Sequence, residues 1–166
     1  MTSATPQPTK TRLFTVDQAN AMLPLVRAIV RDWSALAREV IDRHERLSDL
    51  SRGDKQAADE HLDKHDYATD YYTAELRQMR AELETDTERL TEYVVELRKL
   101  GVEPGDAPLG IVDFPSHSFS ELGEDRPIRL CWKLDEPTVQ FWHDPTAGFA
   151  GRKPLPMGRT QVINDN

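Results

Sequence analysis

A chain of 166 residues with 29 acidic and 21 basic side chains carries a formal net charge of −8. That balance repels phosphate backbones and anionic bilayers, which excludes bulk electrostatic binding to nucleic acid or to a membrane surface. Charged residues make up 30% of the chain and mean hydropathy is −0.63, a profile expected where much of the surface is helical.

Residues 1–11 form a Ser/Thr/Pro tail, expected to be disordered and lacking the apolar stretch of a signal peptide. No apolar run reaches membrane-spanning length, and the single cysteine, Cys131, excludes an internal disulfide and suits a reducing compartment. A cytoplasmic protein is expected.

LFTVDQANAML opens the folded part. Thr15 followed by Gln18 fits a capping box, with Phe14 placed to staple onto Ala19. Pro24 predicts a kink or short break near Ala21 to Leu23. From Leu23 the apolar positions Val26, Val30, Trp33, Ala37, Val40, His44 and Leu47 follow in alternating steps of three and four. Met22, Leu25, Ile29 and Leu36 widen that face in the first half only, so the first half meets more than one partner.

The turn is predicted at Ser51 to Lys55, SRGDK, with Gly53 taking a positive φ. The Arg-Gly-Asp there also matches an integrin-binding tripeptide, a reading of little weight in a cytoplasmic chain. A second helix is predicted from about Ala57 to Leu100, with Gly101 as its C′ residue. Its seam runs Leu62, His65, Thr69, Tyr72, Leu76, Met79, Leu83, Asp86, Leu90, Tyr93, Leu97, Leu100 without a slip. Asp86, alone among leucines, must turn to solvent or meet a cation such as Arg27 or Arg31.

Beyond the connector VEPGDAPLG, strands are predicted at Gly110 to Phe114, Ile128 to Lys133 and Thr138 to His143. A two-residue turn at Asp135 and Glu136 pairs Trp132 with Val139, Leu130 with Phe141 and Ile128 with His143. That register places Cys131 and His143 on opposite faces and Trp142 across from Arg129, a cation–π arrangement.

The fold class expected is therefore α+β and predominantly helical. A long antiparallel coiled-coil hairpin spans residues 12–101. A small antiparallel three-stranded β module, 102–156, packs at its open end, and a second tail covers 157–166.

FTVDQANAMLPLV, GIVDFP at Gly110 to Pro115, LCWKLDEP at Leu130 to Pro137 and FWHDPTAGFAGRKPL at Phe141 to Leu155 carry a resemblance. The chain resembles the bacterial family catalogued as domain of unknown function 2203, over most of Leu13 to Leu155. The family usually has Gly-Glu where this chain has Asp135-Glu136. The resemblance implies a helical hairpin with a β module and implies no activity. It singles out Asp113, Trp132, Glu136, Trp142, His143, Gly148, Phe149, Gly151 and Arg152 as motif positions.

Three functional readings follow. The leading one is a non-enzymatic module that self-associates, as a dimer, or binds a protein partner through its helices; no GxxxxGK[ST], GxSxG or CxxC motif is present. The enzyme alternative is a small hydrolase or transferase using Asp113, Glu136 and His143, with Arg129, Trp142, Asp144 and Arg152 binding a ligand. It requires those groups to converge; their structural alternative is a turn anchored by Arg152 on Asp113 or Asp144. The third is a transition-metal site at the hairpin tip, built from His44, His61 and His65 with Asp66 or Glu60, against two seam histidines half-exposed where the coiled coil frays. No other cofactor is expected.

Overall fold

The computed structural model describes residues 11–60, 67–119 and 125–156. Helix α1, Val16–Glu60, begins at the expected capping box: the Gln18 amide donates to Thr15 Oγ1 (3.2 Å), and the Thr15 amide to Gln18 Oε1 (3.0 Å). Phe14 and Ala19 are both buried in the same core. The helix passes through Pro24 without a break, so the expected interruption is absent. Helix α2, Tyr67–Lys99, ends as expected at Gly101, whose φ is +84°; the Val102 amide closes back on the Leu97 carbonyl at 3.0 Å.

The predicted turn is wrong. Ser51 to Lys55 lie inside α1, and Gly53 has no positive φ. An exposed glycine costs a helix only about 1 kcal/mol, which a 45-residue element absorbs. The shift also changes which residues face each other. Asp86 is buried in the seam, and its partners are Arg43 and Arg89 rather than Arg27 or Arg31. Along the seam, Leu23, Val26, Val30, Trp33, Ala37, Leu47, Leu76 and Leu97 are buried, while His44 is exposed.

The β part holds five antiparallel strands rather than three: β1 Glu103–Pro104, β2 Ile111–His117, β3 Pro127–Lys133, β4 Phe141–His143 and β5 Lys153–Pro154, in that spatial order. The two added strands are two-residue edges that periodicity cannot register. One face of the sheet presents Val112, Phe114, Ile128, Leu130, Trp132 and Trp142 to the first half of α1 and the end of α2, forming the core. This is the second partner that the widened apolar face called for, although Leu25 stays exposed.

Polar bonds lock the same interface. The Phe14 amide donates to the Pro115 carbonyl (2.8 Å), and the Ser116 hydroxyl to the Phe14 carbonyl (2.6 Å). Ser34 reaches the Pro108 carbonyl at 3.1 Å.

The β3–β4 register is one residue away from the predicted one: Arg129 pairs with His143, Leu130 with Trp142, and Cys131 with Phe141. With only three residues in β4, the mismatched Trp132–Gln140 and Lys133–Val139 pairs that this register would bring further along never form. The connection is also no two-residue turn. Arg27 on α1 donates to the carbonyls of Leu134, Glu136 and Pro137, each at 3.1 Å. Asn20 Oδ1 accepts the Val139 amide at 2.8 Å, and Trp132 Nε1 donates to the Glu136 carbonyl at 2.9 Å. Bonds from α1 thus override local turn chemistry. The terminal tails, except Thr11, lie outside the described residues.

Candidate functional site

Side chains alternate across a strand, so the residues between the core positions line the outer face of the sheet. There β2 contributes Asp113, β3 contributes Arg129, Cys131 and Lys133, and β4 contributes Phe141 and His143. Asp113 lies directly across from Cys131, and His143 sits diagonal to it. The shifted register therefore brings together the two groups that the predicted register kept apart.

His143 Nε2 is 3.1 Å from each oxygen of Asp113. Its Nδ1 donates to the backbone carbonyl of Asp144 at 2.8 Å. The imidazole is 2% exposed and Cys131 is fully buried. The Asp113 carboxylate, with a side-chain exposure of 21%, is the group of the three that reaches solvent. Burial first, then the charge of Asp113 and a hydrogen bond to it, push the Cys131 thiol far above its ordinary range.

Glu136 and Arg152 form a second pair beside this cluster. Arg152 Nη2 donates to both Glu136 oxygens, at 2.6 and 2.7 Å, and Glu136 also accepts the Lys133 amide at 2.9 Å. The guanidinium lies between the rings of Phe141 and Phe149, 4.1 and 4.7 Å from their centroids. Phe149 is carried there by a 3-10 turn, Phe149–Gly151, entered through Gly148 at φ +61°. Arg152 thus anchors the GFAGR segment as expected, but on Glu136 rather than on Asp113 or Asp144. Asp144 instead takes Arg126 and Lys153, whose hydrogen bonds hold its carboxyl below the usual value.

Other expectations fare differently. Trp142 turns into the core across from Leu130, so no Arg129–Trp142 pair forms; Arg126 and Lys153 cover that ring. Arg129 faces the opposite side, paired with His143. His44 is exposed on α1, and the helix continues beyond it to Glu60, so the fold-back about Gly53 that would gather the histidines does not occur. His61, His65 and Asp66 lie outside the described residues. Cys131 and Arg27 were missed as site and positioning residues. The signal for Cys131 was its parity match with Asp113; for Arg27, its place between Leu23 and Val30 on a face that otherwise reads as core.

The combination defines a helix-dominated α+β protein whose β base carries a half-shielded acid–thiol–imidazole cluster on its outer face. The chain belongs to the family described as Uncharacterized conserved protein (DUF2203), whose model matches residues 12–155. No curated protein and no solved structure matches the chain. Among the described residues, no helix is long and apolar enough to cross a membrane.

Proposed function

We propose that this is a non-enzymatic interaction module, in which the β base holds a helical arm and the arm receives a second copy of the chain. One observation carries this reading. The shared core includes α1 only as far as Trp33, and beyond Ala37 the buried apolar residue described on α1 is Leu47. Ile41 and Leu50 remain 44% and 39% exposed on this outer part. A two-helix arm with one narrow seam gains little from packing; nine residues apart, Ile41 and Leu50 lie on opposite sides of α1, and antiparallel association with a second arm would cover one of those sides. A single buried thiol suits a reducing compartment, here the cytoplasm.

A hydrolase or transferase reading has convergence in its favour, since Asp113, Glu136, His143 and Arg152 gather around Cys131. Accessibility weighs against it. A fully buried thiol held protonated is the reverse of an activated nucleophile, and the imidazole is shielded with it. Sedimentation equilibrium at tens of micromolar tests the proposal. A dimer that dissociates on Ile41→Lys or on Leu50→Lys alone supports it; a monomeric wild type overturns it.

A further inference from the structure

Three adjacent strands each aim one metal-ligating group at a single spot on the outer face of the sheet. The Asp113 oxygen, the Cys131 sulfur and a His143 ring nitrogen all lie within 4.8 Å of one another. We propose that these three side chains bind a divalent transition ion of the zinc class, leaving one coordination position for water or an external ligand.

Distance permits it. Bonds of 2.0–2.3 Å in tetrahedral geometry place ligand atoms about 3.3–3.6 Å apart; Asp113 and His143, at 3.1 Å, are within a few tenths of that, and the sulfur needs to draw in by at most about 1.2 Å. The paired strands supply the rigidity: Asp113 and Cys131 are direct cross-strand partners, and His143 is one diagonal step away.

The imidazole is oriented for the same task. A carbonyl oxygen only accepts, so the 2.8 Å contact to Asp144 places a proton on Nδ1. Nε2 then directs its lone pair at a carboxylate 3.1 Å away through both oxygens. Two lone-pair-bearing groups face each other there. A cation between them, or a second ring proton, relieves the conflict. Backbone capture of one ring nitrogen with the other free is the arrangement that metal-binding histidines use.

The third group separates those two solutions. An imidazolium–carboxylate pair accounts for Asp113 and His143 and leaves the sulfur only the hydrogen bond from its thiol to Asp113. A thiophilic ion uses all three, and sulfur with nitrogen disfavours magnesium and calcium. Charge also closes: carboxylate and thiolate together balance a divalent ion, and the neighbouring Glu136–Arg152 pair is internally neutral. The Phe141–Arg152–Phe149 stack walls one side, while Asp113 keeps the approach from solvent.

The full chain, stripped with chelator and dialysed, is titrated with Co²⁺. One equivalent should bind, with visible bands of tetrahedral intensity and a thiolate-to-cobalt charge-transfer band in the near ultraviolet; Zn²⁺ should displace it. Cys131 is the only cysteine in the chain, so that band identifies the site in the wild type without any variant. Cys131→Ser should abolish the band, and Asp113→Asn should weaken binding at least about tenfold. Three outcomes overturn the proposal: no stoichiometric cobalt or zinc, cobalt bound without a charge-transfer band, or binding lost only in a His44→Ala, His61→Ala, His65→Ala variant.

Discussion

Replacing Arg27 with alanine tests whether α1 sets the geometry of the β base. The guanidinium donates to three carbonyls, of which the bonds to Leu134 and to Glu136 are partly buried and the bond to Pro137 is exposed. It also lies 5.0 Å from the centroid of Trp132. A hydrogen bond from a charged donor contributes about 1.5 kcal/mol at the low end of its range, which suits partial burial. Two such bonds plus a cation–π contact of about 0.5–1 kcal/mol give a loss of about 3.5–4 kcal/mol. For a chain of this size each kcal/mol moves Tm by about 2–4 °C, so Tm should fall by roughly 7–16 °C. Thermal unfolding followed by circular dichroism and by tryptophan fluorescence measures it. Arg27→Lys should recover less than half of the loss, because one ammonium cannot span three carbonyls. An alanine variant within about 1 kcal/mol of wild type would refute the idea that this residue holds the 134–140 connection.

Further outcomes follow from the glycines and the thiol. Gly53→Ala should raise stability by about 0.5–1 kcal/mol in chemical denaturation, because Gly53 is helical and an added Cβ meets nothing within 4 Å; a loss would return the turn to Ser51–Lys55. Gly110→Ala should cost roughly 2–3 kcal/mol by the same measurement, since φ is +65° and the new Cβ would meet Leu134 Cβ at 2.8 Å. Cys131 gives a pH dependence in metal-free protein. Its native pKa is raised above the usual 9.0, so its contribution is complete below about pH 9 and declines as pH rises. The decline approaches about 1.4 kcal/mol per pH unit. The difference between wild type and Cys131→Ser should shrink by about 1.4 kcal/mol in all from pH 8 to 10, most of it above pH 9; parallel curves would contradict it.

Local chemistry was legible in the sequence. Thr15–Gln18, Gly101 and the seam positions from Leu76 to Leu97 read correctly because each depends on residues within one or two helical turns. SRGDK misled because a glycine's turn preference is smaller than the combined propensity of a long helix. The β3–β4 register was illegible for another reason. Phe141 and Trp142 are both apolar, so either can face Leu130, and the choice falls to Arg27 and Asn20, more than a hundred residues away. With the register goes the cluster: Asp113, His143, Glu136 and Arg152 stand out individually as motif positions, but the predicted register puts Cys131 on the face opposite His143.

The grip of α1 on the 134–140 connection also bears on how the chain folds. Arg27 and Leu134 are separated by 107 residues, and Asn20 and Val139 by 119. The β3–β4 pairing therefore cannot settle as a local hairpin; it must wait for a loop of about two-thirds of the chain to close. Such closure costs entropy before any contact rewards it, which places strand registration late and makes it slow relative to helix formation. During synthesis the helical arm emerges first and can form early, while the sheet edge stays uncommitted until the last quarter of the chain returns to the first.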